Sequence, residues 1–207
     1  MSGRAATERI ALADALTTVG PDAPTLCEGW QAQDLAAHVY VREHRPDATP
    51  GVLPLGPLSS YTERVMRSAL RVHGFAALVE AIRTAPPWLR IERIDDAVNT
   101  VEMFVHTEDV RRANCMSTRT QPVTFEAAIW RRLSRQARLS FRRVPATVVL
   151  TPTTAGAPIT VGKGGPDVTV TGLPSELLLL AYNRKEHAQV TITGEGANAL
   201  RETKIGA

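Results

Sequence analysis

Val98-Asn-Thr-Val-Glu-Met-Phe-Val-His-Thr-Glu-Asp-Val-Arg-Arg-Ala113 decides how the first half of this chain is built. Phe104 and Val105 follow Val101 by three and four residues, the spacing of a packed helix, and with Val110 they supply apolar contacts on neighbouring faces. An aspartate is a favoured N-cap, so Asp95 or Asp96 is expected to open a helix running over residues 97–113. Glu102 and His106 lie four apart and therefore stack one turn above the other on one face, and Asp109 and Ala113 continue that stripe. A carboxylate and an imidazole so placed can both reach one ion about 2 Å from each donor atom.

Outward from this helix, the same period holds on both sides as far as residue 145. Residues 5–19 read as a helix with Ile10, Leu12, Ala13 and Leu16 on its apolar side, stopped by Gly20-Pro21. Residues 31–44 form a second, with Leu35, Ala36, Val39 and Tyr40 turned inward. Residues 46–57, rich in Pro and Gly, read as an extended excursion. Ser59 or Ser60 is expected to cap a helix to residue 72, and residues 75–84 a short one ending before Pro86-Pro87. Thr124 is expected to cap a last long helix through residue 143. Beyond it the apolar residues alternate instead. Strands are expected at 146–150, 159–161, 168–171 and 189–193, with helices at 175–183 and 197–203. The chain is thus α+β: a helical bundle over residues 1–144 and a small α+β domain over 145–207.

Composition closes several alternatives. The net charge of +3 and pI near 9.2 come almost wholly from arginine, since lysine occurs only at 163, 185 and 204. Arg131, Arg132, Arg135, Arg138, Arg142 and Arg143 fall at helical spacing around Trp130, Leu133, Leu139 and Phe141. That pattern reads as the solvated face of an amphipathic helix, and no nucleic-acid recognition motif accompanies it. No run is long and apolar enough to span a bilayer, and residues 1–10 lack the apolar stretch of a signal peptide. Two cysteines, Cys27 and Cys115, are too few for a disulfide scaffold, which suits a reducing cytoplasm.

The second informative stretch is Leu26-Cys-Glu-Gly-Trp-Gln-Ala-Gln-Asp-Leu-Ala-Ala-His38. His38 stands among Leu35, Ala36 and Val39, on the inner side of its helix. With Glu102 and His106 it completes two imidazoles and one carboxylate, the three-ligand set of a catalytic zinc that leaves a position open. Helical bundles build such sites from inward side chains of facing helices. His44 lies six residues after His38, on another side of the helix, and is left out, as is His73. Cys27 reads as a buried structural thiol, and Trp30 as an anchor of the loop–helix junction.

The order Gly-Trp…Asp-Leu-Ala-Ala-His38, then Glu102-x-x-x-His106-x-x-Asp109, resembles the DinB-like mycothiol-dependent enzymes of actinobacteria, the maleylpyruvate isomerase family. Val168-Thr-Val-Thr-Gly-Leu-Pro-Ser-Glu-Leu-Leu-Leu-Leu-Ala-Tyr-Asn-Arg184 and Val190-Thr-Ile-Thr-Gly-Glu195 are similar to the small C-terminal, sterol-carrier-like domain of that group. The closest resemblance is to a subgroup described only as metal-binding, marked also by Val110-Arg-Arg-Ala113. The chain departs at Gln31, where the group usually has a Ser or Thr helix cap. The resemblance implies a DinB-like bundle, a metal triad on His38, Glu102 and His106, and mycothiol as the thiol cosubstrate.

A zinc ion on that triad would stabilise a bound thiol as thiolate, the nucleophilic form, for attack on a small electrophile. Asp109 is the expected orienter or proton acceptor one turn beyond His106. Arg111 and Arg112 are expected to hold a carboxylate of substrate or thiol, or else to complement the negative end of their helix. The expected partners are small molecules, with neither nucleic acid nor membrane, and the chain acts as a monomer or homodimer. Two other readings share the metal: a hydrolase with metal-activated water, and a non-catalytic protein whose metal stiffens the bundle while it binds a ligand or partner. Dependence on thiol separates transferase or isomerase from hydrolase. Turnover of any electrophile separates both from the binding protein.

Overall fold

The computed structural model describes residues 3–45, 59–89, 91–154, 156–162 and 164–206. It divides into two compact units, Met1–Thr118 and Arg119–Ala207. The change of hydrophobic period near residue 145 therefore marks a helix-to-strand transition inside the second unit, because the long helix before it packs on the later helix and strand of the same unit. The expected excursion over residues 46–57 lies outside the described residues. Among the described residues, no helix is long and apolar enough to cross a membrane.

The first unit contains α1 (Arg4–Val19), α2 (Ala32–His44), α3 (Ser59–His73), α4 (Phe75–Thr84) and α5 (Glu92–Ala113), with a single 3-10 turn at Pro87–Leu89. α1 packs most extensively on α5 and also on α4, while α2 packs on α3 and α4. Leu12, Leu16, Leu35, Leu78, Ile82 and Met103 have no accessible surface and form the centre of the core. Each such side chain contributes about 1.5–3 kcal/mol by leaving water. Ile10, expected on the inner side of α1, is instead 45% exposed. The inward position one residue earlier belongs to Arg9.

Arg9 is the largest fully buried side chain of the unit. Its Nη1 donates to Glu43 Oε2 at 2.7 Å and to the Ile82 carbonyl at 3.2 Å, and its Nη2 donates to Asp95 Oδ1 at 2.9 Å. One guanidinium thus ties α1 to α2, α4 and α5, using the fork of donors that arginine alone provides.

α5 begins at Glu92, five residues before the position expected, and neither Asp95 nor Asp96 caps it. Both carboxylates serve α1 instead. Asp95 holds Arg9, and Asp96 Oδ1 accepts the Ala5 backbone N–H at 2.8 Å, closing the first turn of α1 where Gly3 has no side chain to do so. The Gln31 departure is also resolved. The Asp34 carboxylate accepts the Gln31 N–H at 3.0 Å, so the start of α2 is fixed from inside the helix.

The second unit holds α6 (Val123–Ser140), β1 (Thr147–Pro152), β2 (Ile159–Val161), β3 (Asp167–Gly172), α7 (Pro174–Ala181), β4 (Thr191–Thr193) and α8 (Ala197–Glu202). The strands lie in the order β2-β1-β3-β4; the central pair is parallel and both flanking pairs are antiparallel. Val148, Leu150, Val168 and Val170 point to the covered face, and α7 is buried along its whole length. After β4 the chain turns at Gly194, with φ of +105°, where a Cβ would collide with the Asp167 carbonyl. The arginines of α6 are exposed as expected, whereas Leu139 is 51% exposed and outside the core.

Thr124 does not cap α6, whose N-cap is Pro122. The notable cap here reaches across to another helix. Glu126 Oε1 accepts from Ser175 Oγ at 2.7 Å and Oε2 from Ser175 N–H at 2.9 Å, placing a carboxylate from α6 on the N-terminus of α7. Burial raises the Glu126 carboxyl above its ordinary range although both Ser175 bonds pull it down. Replacing Glu126 with Ala strands two buried donors and is expected to destabilise this unit by about 1–3 kcal/mol, measured by urea unfolding.

Candidate metal centre

Three side chains from α2 and α5 converge in the first unit. His38 projects from the middle of α2 and is 7% exposed; His106, from the middle of α5, is 8% exposed. Glu102 lies one turn before His106 on the same face. Its Oε1 is 3.5 Å from His38 Nε2 and 3.1 Å from His106 Nε2. The two imidazoles meet edge to face with centroids 5.3 Å apart. All three donor atoms lie within 4.8 Å of one another.

These distances fit an ion. Four donors about 2.0–2.1 Å from a tetrahedral zinc stand roughly 3.3 Å apart, and the two measured separations bracket that value. The donor chemistry fits as well: two imidazoles and one carboxylate suit zinc and other borderline divalent metals.

Asp109 is placed where the stripe on α5 predicts. It is completely buried, and its Oδ2 lies 3.1 Å from His106 Nδ1. The Nδ1–H donates to Asp109, which turns Nε2 toward Glu102 and His38. Burial opposes charge on His106, but the hydrogen bonds to Asp109, Cys27 and Glu102 outweigh it and hold the imidazole well above its ordinary range. His38 goes the other way: burial, helped by the neighbouring His106 charge, pushes it down. Burial would raise the Glu102 carboxyl, yet bonds from both histidines and the charge of Arg42 hold it well below the usual carboxylate range.

Arg111 and Arg112 are placed differently from the triad. Arg112 Nε donates to the buried Glu108 carboxylate at 2.8 Å, and Arg111 Nη2 donates to the Ser117 carbonyl just past the helix end, also at 2.8 Å. His44 and His73 gather around Tyr40, with ring centroids 4.4 and 5.5 Å from it. They form a separate aromatic group.

Three neighbours of the cluster escaped the sequence reading. Arg42 sits one turn after His38, with its Nε 3.6 Å from Glu102 Oε1 and its Nη1 donating to Asn99 on α5. Its four-residue spacing from His38 was the available signal. The Trp30 ring lies 5.0 Å from His38, so it walls the cluster besides anchoring the loop. Cys27, read as structural, brings its Sγ to 3.2 Å from Asp109 Oδ2 and 4.0 Å from His106 Nδ1. No spacing rule links position 27 to position 109; the loop brings them together.

No protein-family model and no curated protein matches this chain. Two solved structures are similar to it, those of a mycothiol-dependent maleylpyruvate isomerase and of a point mutant of that enzyme. The identities are 16% and 15%, the TM-score is 0.47 for both, and each alignment covers 94% of this chain and 91% of the other.

Proposed function

We propose that this chain is a metal- and thiol-dependent transferase or isomerase, in which His38, Glu102 and His106 hold a divalent ion, zinc by its donor set. The meeting of three donors from two helices, at separations suited to a single ion, carries this reading. When bound, the ion supplies a Lewis-acidic centre at which a low-molecular-weight thiol is favoured as its nucleophilic thiolate. Mycothiol is the proposed thiol, on the resemblance carried by the order of motifs around His38 and Glu102-x-x-x-His106, and the second substrate is a small electrophile.

The surrounding residues have separate tasks in this reading. Asp109 fixes the tautomer and rotation of His106, leaving Nε2 for the ion. Arg42, itself held by Asn99, steadies the Glu102 carboxylate at the same oxygen, Oε1, that faces the two histidines. Trp30 covers one flank of His38 and excludes water there. For Arg111 or Arg112 to hold a carboxylate of thiol or substrate, each would have to leave its present partner, the Ser117 carbonyl or Glu108.

The test is conversion of a panel of small electrophiles with and without mycothiol, followed by mass spectrometry. Conversion is expected only with thiol, lost on chelation and restored by zinc. Conversion without thiol would point to metal-dependent hydrolysis. A zinc-loaded protein that converts nothing would leave a metal-stabilised binding protein.

A further inference from the structure

His106 presents its two ring nitrogens to two different sets of ligands. Nε2 faces Glu102 and His38, while Nδ1 faces Asp109 and Cys27. The geometry points to a second metal-binding set behind the ring, formed by Cys27 Sγ, His106 Nδ1 and Asp109 Oδ2, that takes a thiophilic divalent ion.

The separations support it. Zinc-group bonds of about 2.3 Å to sulfur and 2.0–2.1 Å to nitrogen or oxygen put tetrahedral donors roughly 3.3–3.6 Å apart. Here nitrogen and carboxylate oxygen are 3.1 Å apart, sulfur and oxygen 3.2 Å, and sulfur and nitrogen 4.0 Å. A small rotation of the Cys27 side chain closes the last. The backbone that carries this side chain is already in place. Leu26 N–H donates to the Asp109 carbonyl at 3.2 Å, Cys27 N–H to Thr25 Oγ1 at 3.2 Å, and Trp30 N–H to the Cys27 carbonyl at 2.9 Å. The loop is hung from α5 at the very residue that supplies the carboxylate.

Charge and softness set this group apart from the triad. One thiolate and one carboxylate neutralise a divalent ion, and the sulfur selects a softer metal than two imidazoles and a carboxylate do. On binding, the Cys27 thiol proton leaves to solvent and the His106 ring proton moves from Nδ1 to Nε2, so the ion takes the place of both hydrogens. With Nδ1 so engaged the neutral ring carries its proton on Nε2. The two sets therefore compete for one ring, and a soft ion beside Cys27 unseats His106 from the triad. This holds whether or not the triad serves thiol chemistry.

Cadmium is the probe, and the sulfur-to-cadmium charge-transfer band is the readout. Titrations use full-length protein carrying Cys115→Ser, since Cys115 is exposed and would bind cadmium by itself. A saturable band is expected in this protein and also after His38→Ala, which breaks only the triad. Asp109→Asn is expected to weaken cadmium binding at least about ten-fold, the effect of losing a carboxylate that ligates or supports a site. No band, or a band whose affinity is indifferent to Asp109→Asn and to His106→Asn, would reduce the set to a lone thiol and overturn the proposal. Should these variants fold poorly, cadmium NMR on the Cys115→Ser protein with nitrogen-labelled histidine decides. Coupling through His106 Nδ1 upholds the second set, and coupling through Nε2 instead overturns it.

Discussion

Arg9→Met is expected to destabilise the first unit by about 3–5 kcal/mol, because it leaves two carboxylates buried without their cation. In the native protein Arg9 is 2% exposed and bonded to both Glu43 and Asp95. Methionine fills a similar volume, so the loss is electrostatic and does not reflect a cavity. The pH dependence follows from Glu43. Burial raises its folded carboxyl above the ordinary value, against the pull of Arg9. The folded state then holds that proton more tightly than the unfolded chain, so ionising Glu43 opposes folding as pH rises through the folded value. Without Arg9 the opposition grows. The difference from wild type in urea unfolding is expected to be largest where Glu43 is ionised and to narrow as pH falls and Glu43 takes up its proton. Adding Glu43→Gln and Asp95→Asn to Arg9→Met is expected to recover most of the loss, since no charge then remains uncompensated.

His106→Ala and His38→Ala are expected each to abolish stoichiometric zinc. A structural zinc releases about 10–16 kcal/mol over four ligands, so one imidazole accounts for roughly 3 kcal/mol, on the order of a hundred-fold in affinity. His106→Ala has the larger effect of the two, because it also removes the ring that Asp109 orients. Elemental analysis of tag-free protein after zinc reconstitution and gel filtration checks both. Wild-type protein that takes up no zinc would remove the triad from consideration, and the two histidines would then serve as packed polar residues of the bundle. Zinc kept in His38→Ala but lost in His106→Ala would place it on the Cys27, His106 and Asp109 set instead of the triad.

The parts legible in the sequence are those that obey local periodicity. The boundaries of α2 and α4, the strand at residues 159–161 and the stripe Glu102–His106–Asp109 all follow from spacing within one element. Elsewhere a distant partner overruled a local preference. Asp95 and Asp96 look like caps of α5, and aspartate favours that position; the structure uses them on Arg9 and on Ala5 N–H. Ile10 looks like a core residue beside a charged neighbour, but the charged neighbour is the one enclosed. Thr124 looks like a cap of α6, while the residue that matters there is Glu126, working on α7. In the candidate centre, Glu102 and His106 could be paired from their spacing on one helix face, and His38 joined to them from its inward position among Leu35, Ala36 and Val39 and from the motif order. Cys27 could not, since its approach to Asp109 is made by the closed loop of residues 25–30 and has no repeat to announce it.

The cap that α5 lends to α1 bears on the order in which the chain can acquire structure. Asp96 and the Ala5 amide it receives are 91 residues apart, and the Arg9–Asp95 bond spans 86. During synthesis, α1 emerges early and by itself has an open first turn, an unscreened arginine on its inner side and little tendency to persist in water. α2, α3 and α4 must all leave the ribosome before the segment that completes it arrives. α1 is thus completed by α5, the last helix of its unit to be made.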